Sequence, residues 1–143
     1  MMNPKDEIPI TEYQTLAEFR YQLRRFLRFS EQAARAAGLE PQQHQLLLAV
    51  KGLPEGSKAT ISVLAERLQI AHHSTVELID RLVERGYIQR CRDEADQRRV
   101  LVSLTPQGEE VLQNLSLAHR AELRSTGPAL VQALTLLLSN MNT

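Results

Sequence analysis

The chain has 143 residues, 43% of them hydrophobic and 24% charged, with a formal net charge of zero. That length suits one domain with a sizeable core, and the composition is that of an ordinary soluble globular protein rather than a disordered or fibrous one. Balanced charge means that any nucleic-acid surface must come from arrangement rather than total, and a single cysteine excludes an intramolecular disulfide framework. The opening stretch MMNPKDEIPITEY has no apolar signal-peptide core, and no run approaches the roughly 18–20 apolar residues of a membrane span. The expectation is a cytoplasmic protein with no membrane association.

From about Thr11 to Ala37, Leu16, Phe19, Leu23, Phe26, Leu27, Ala33 and Ala34 recur at three- and four-residue steps, which predicts a long amphipathic helix closed by Gly38. Pro41 opens a second helix with Leu46, Leu47, Leu48 and Val50, ended between Gly52 and Gly56. Thr60 is placed to cap a short helix carrying Ile61, Leu64, Ala65 and Leu68. A tight connection at Gln69-Ile70-Ala71 leads into a further helix with Thr75, Leu78, Ile79 and Leu82 on its apolar side, ended by Gly86. Two short helices joined this tightly form the pattern of a helix-turn-helix.

YIQRCR and RVLVSL then read as two β-strands joined by a charged tip, with Val100, Val102 and Leu104 on one face of the second. Thr105-Pro106 restarts a helix, hydroxyl at the cap and proline where its missing N–H is harmless. That helix runs to about Arg124, Gly127-Pro128 breaks it, and a last apolar helix follows. The predicted order is α-α-α-α-β-β-α-α. The fold class is mainly α with a small β-hairpin wing, a winged helix-turn-helix flanked by N- and C-terminal helices.

In this order, LAERLQI, LIDRLVERGYIQR and DEADQRRVLVSLTPQG resemble the MarR family of bacterial transcriptional regulators. The residues that carry the resemblance are Asp80-Arg81-Leu82, Gly86, Arg90, Asp96-Gln97-Arg98, Leu104-Thr105 and Pro106-Gln107-Gly108. The resemblance implies a single domain over 1–143, with residues 11–40 and 106–140 as dimerisation helices and 57–105 as the winged helix-turn-helix. It further implies a homodimer that binds double-stranded DNA at a pseudo-palindromic operator, with one helix in the major groove and the wing in the minor groove. Many members are repressors released by small aromatic or phenolic ligands. Such an effector would lie among the first, second and fifth helices.

On that reading Arg98 at the wing tip probes the minor groove, where an always-charged, weakly hydrated guanidinium fits the concentrated negative potential. Asp96 holds Arg98 by a charge-assisted bond and shapes the turn. Arg90, Arg92 and Arg99 are candidates for phosphate contacts or for bracing the hairpin, and the acids stiffen the wing. On the recognition helix, His72 and Ser74 lie near the start, and His73 and Glu77 face away from the core, flanked by Val76. Where family members often carry Thr or Ser and then Arg, this chain has Val76 and Glu77. Val76 suits a thymine methyl; Glu77 suits either a cytosine amino group or an ion pair with Arg81 one turn on.

From Ser57 to Pro106 eight basic residues stand against seven acidic ones, so tight non-specific DNA binding is not expected. His72-His73 is a poor metal site because adjacent helical residues point about 100° apart. No metal or cofactor is expected. His44 and His119 read as ordinary helix residues. Cys91 reads as a buried or half-buried strand residue, the alternative being a thiol switch on the hairpin. No nucleophile-base pair or phosphate loop appears, which argues against an enzyme. The competing function is a winged-helix dimer acting as a protein-interaction module without specific DNA binding.

Overall fold

The computed structural model describes residue 3 and residues 6–141. In chain order the elements are α1 (Ile10–Ala36), α2 (Pro41–Lys51), α3 (Ile61–Leu68), α4 (His72–Glu84), β1 (Ile88–Arg92), β2 (Val100–Leu104) and α5 (Pro106–Met141). They form two compact units: Gln32–Leu117, and the described residues up to Glu31 together with those from Ala118 on.

The unit spanning Gln32–Leu117 is the winged helix. Leu46, Leu47, Leu64, Ile79, Leu82 and Ile88 are almost fully removed from solvent, and Leu112, Leu115 and Val102 join them. Each such side chain contributes about 1.5–3 kcal/mol by leaving water. The expected inward side of α4 is thus the buried one, with Thr75, Leu78, Ile79 and Leu82 all covered.

Local chemistry sets the ends of these elements. The Thr60 hydroxyl accepts from the Val63 N–H at 3.2 Å and caps α3. At the other end Gln69 adopts the left-handed conformation with φ 55°, which turns the chain sharply into α4. β1 and β2 pair antiparallel, with Ile88 opposite Leu104, Arg90 opposite Val102 and Arg92 opposite Val100. The Val102 N–H donates to the Ala59 carbonyl at 3.0 Å, so the segment ahead of α3 joins the hairpin by a backbone bond.

The restart of α5 shows why its sequence signature has the form it has. The Thr105 hydroxyl donates to the Gly86 carbonyl at 2.6 Å and accepts from the Gly108 N–H at 3.1 Å, while the Thr105 N–H donates to the Tyr87 carbonyl. A Cβ on Gly108 would overlap that Tyr87 carbonyl. Gly86 itself sits at φ 80°, where an L side chain is strained. The glycines and the threonine are therefore parts of one close backbone approach between the α4–β1 turn and the start of α5.

In the other unit His119 Nε2 lies 2.8 Å from the Ser30 hydroxyl, between the ring edges of Phe26 and Phe29. The Asn140 amide donates to Thr15 Oγ1 at 3.3 Å, and Ala133 and Leu137 are buried. Ile10, Tyr13, Leu16, Val131, Leu136 and Leu138 are nonetheless exposed.

One expected boundary is absent. Gly127-Pro128 does not end a helix: α5 runs unbroken from Pro106 to Met141 with Pro128 inside it, so the final two predicted helices are one. Proline removes one helical donor and costs about 3 kcal/mol. Helical sequence on both sides and the burial of Ala133 and Leu137 beyond the proline outweigh it.

Candidate nucleic-acid interface

The outer face of α4 carries His72, His73, Glu77 and Arg81 in solvent, with Ser74 and Val76 half-buried at its margin. α4 has no side-chain cap at Ala71, so its first N–H groups lie in the turn that carries the two histidines. Glu77 forms no ion pair with Arg81 among the described residues, which sets aside the pairing read from their i,i+4 spacing. Both side chains stand free on the helix surface.

Arg98 is at the wing tip with its side chain 92% exposed. Asp96 Oδ1 accepts from the Arg98 backbone N–H at 3.1 Å and from its Nε at 3.2 Å, so one carboxylate oxygen closes the turn and orients the guanidinium. In this exposed setting the ion pair is worth at most about 1 kcal/mol, enough to bias a rotamer and too little to hold a fold. Arg98 and Arg99 line an open groove of about 490 Å³ shared with Thr60, Ser62 and Val63 at the start of α3.

Two other wing arginines, Arg90 and Arg92, are engaged within the protein. Arg90 forms an ion pair with Asp80, tying β1 to α4. Arg92 donates to the Gln97 carbonyl at 3.1 Å across the tip. Of the two roles open to them, bracing is the one their contacts match.

Sequence reasoning missed two arrangements. Asp93, read from the sequence only as one of the acids that stiffen the wing, is buried, and both its carboxylate oxygens accept from Lys58 Nζ, at 3.0 and 2.9 Å. Its Oδ1 also accepts from the Ala95 N–H at 2.9 Å. The Lys58 bond, then the Ala95 N–H, hold the Asp93 carboxyl below the usual carboxylate range against the opposing effect of burial. Arg85, at the end of α4, donates to the Gly38 carbonyl at 2.6 Å and to Gln43 Oε1 at 3.0 Å, and lies over the Tyr87 ring. Separations of 35 and 47 residues left no periodic signal for either. An Asp two residues before a backbone donor was the one available hint.

Cys91 is exposed on β1, not buried or half-buried as expected, its Sγ 3.8 Å from the Leu101 carbonyl. In a two-stranded sheet only one face meets the core, and Ile88 is the buried residue of β1. No group of three or more His, Cys, Asp or Glu among the described residues is placed to hold a metal ion. No helix among them is long and apolar enough to cross a membrane.

Residues 37–99 match the MarR family model. Over 65 residues the chain is 34% identical to the uncharacterized HTH-type transcriptional regulator YsmB of Bacillus subtilis (strain 168), covering 46% of this chain and 44% of that protein. The chain thus spans less than half the length of this relative. Among solved structures it is similar to a mutant of S. aureus MepR, with a TM-score of 0.72 at 18% identity, covering 86% of this chain and 95% of that one. It is also similar to Bordetella bronchiseptica BpsR, with a TM-score of 0.64 at 24% identity, covering 91% and 99%; that structure concerns regulation of BpsR's DNA binding by 6-hydroxynicotinic acid. At these identities the structural likeness is one of fold.

Proposed function

We propose, from the match of residues 37–99 to the MarR family model, that the chain is a homodimeric transcriptional repressor that binds a pseudo-palindromic operator and is released by a small aromatic ligand. One observation carries this reading: an outward Arg98 tied to Asp96, on a wing that an Arg90–Asp80 ion pair binds to the helix whose outer face is free. That arrangement suits simultaneous insertion of α4 in a major groove and Arg98 in the neighbouring minor groove.

In this reading His72, His73 and Ser74 meet base edges or phosphates at the start of α4. Val76 contacts a thymine methyl, and Glu77 accepts from a cytosine N4. Arg81 and Arg99 take phosphates, and Arg90 acts through the Asp80 pair. The exposed apolar residues of α1 and the second half of α5, among them Leu16, Val131 and Leu138, supply a surface for a second copy. Pairing doubles the contacts, which a winged helix of nearly balanced charge needs. The BpsR likeness supports the choice of an aromatic acid as the first class of effector to try.

Fluorescence anisotropy with the duplex upstream of the protein's own gene, against a shuffled duplex at two salt concentrations, tests the reading. Selective binding that weakens as salt rises is expected, followed by release on adding aromatic acids. Equal, weak binding to both duplexes favours the protein-interaction reading, whose support is Glu77 standing unpaired in the middle of the outer face of α4.

A further inference from the structure

The wing carries two ion pairs of opposite character within four residues. Asp96–Arg98 faces solvent, whereas the Asp93 side chain is only 4% exposed and Lys58, its partner, is 44% exposed. A carboxylate buried at the root of a charged hairpin tip loses hydration, and it is retained only where partners replace that hydration. Here the replacement is complete: Lys58 Nζ reaches both oxygens and the Ala95 N–H reaches one. The Asp93 N–H, in turn, donates to the Arg99 carbonyl at 3.0 Å, closing the tip across its base.

Lys58 lies two residues before the Thr60 cap of α3, and its neighbour Ala59 accepts the Val102 N–H of β2. The segment 58–59 therefore grips the hairpin twice: through a side chain at Asp93, just past the end of β1, and through the backbone at Val102, in the middle of β2. By sequence type, a lysine beside a wing would be counted among the phosphate contacts. The geometry points elsewhere. We propose that Lys58 is a positioning residue that clamps Asp93 and so fixes the wing tip carrying Arg98 against the start of α3, rather than a cation that meets the nucleic acid.

This rests on the operator-binding reading, and its test separates the two. Operator affinity is measured by anisotropy for the wild type and for Lys58→Met, Asp93→Asn and Lys58→Arg, each also combined with Arg98→Ala. A clamp predicts that Lys58→Met and Asp93→Asn weaken binding alike, by about 5- to 20-fold, and that Lys58→Arg stays within about twofold. In the Arg98→Ala background both lose most of their effect, because the residue they position is gone. A phosphate-contacting Lys58 predicts the opposite for Asp93→Asn: a freed ammonium, and binding that is unchanged or tighter. That outcome overturns the proposal, as does full additivity with Arg98→Ala. Thermal melting of each variant identifies any that lose the fold, and faster amide exchange at Val102 reports a loosened wing without DNA. If the wild type itself binds no duplex selectively, the operator reading fails instead, and unchanged Val102 exchange in both variants would overturn the clamp independently.

Discussion

The base and the tip of the wing are built on different terms. At the base, Thr105, Gly86, Tyr87 and Gly108 share a close backbone approach with no room for a side chain, and Asp93 is buried under Lys58. At the tip, Arg98 is nearly fully exposed and is held only by the half-buried Asp96 carboxylate. Substitution in the close approach of Gly86, Tyr87, Thr105 and Gly108 should thus register in stability, and substitution at the tip should register in binding while the fold stands, with the Lys58–Asp93 pair as the link between them. The hairpin separates the two roles over a few residues.

The sharpest way to break that contrast is Gly108→Ala. Its Cβ must displace the Tyr87 carbonyl, and we expect a loss of roughly 1–3 kcal/mol, read as a lowered melting temperature without ligand. Arg98→Ala comes next. It should weaken operator binding by more than about tenfold, or about 1.4 kcal/mol, with melting temperature and dimerisation unchanged; unchanged affinity sinks the wing assignment. Asp96→Asn keeps the turn but removes the charge that orients the guanidinium, and about a two- to fivefold loss in affinity is expected from an exposed pair.

The smallest effect near neutrality is on pH. The Asp93 carboxyl is held below its ordinary value of 3.8 in the folded protein. Its contribution is therefore present in full above about that value and is lost as pH falls through the lower folded one. Val102 amide exchange, corrected for its intrinsic pH dependence, should show the wing loosening only below that range. Loosening between pH 5 and 7 would mean that some other group holds the base.

Much of this was legible in the sequence, for a physical reason. The buried side of α4, the Thr60 cap and the Thr105-Pro106 restart depend on residues a few positions apart, where helical and strand periods operate. The family resemblance likewise lay in the run from Leu64 to Gly108, and the match over 37–99 falls on most of it. What failed had non-local causes. Pro128 reads as a stop in any local window, yet burial of Ala133 and Leu137 carries α5 through it. Alternation along β1 gives two faces without saying which is covered, so Cys91 was placed on the wrong one. Glu77 and Arg81 have a favourable spacing and do not use it. The Lys58–Asp93 and Arg85–Gly38 contacts join residues with no shared period, and only the folded chain brings them together.

The near balance of charge in the winged helix has a kinetic side. Eight basic against seven acidic residues, with Lys58 and Arg90 already paired internally, leave few free cations to hold a duplex of arbitrary sequence. For a DNA reader of the kind proposed, that shortens each non-specific encounter, because sliding depends on the sequence-independent attraction to phosphate. Such a dimer would find its operator mainly by repeated collisions from solution, with little time lost on the rest of the chromosome. Its arrival rate would then depend on its copy number more than on the length of DNA flanking the site.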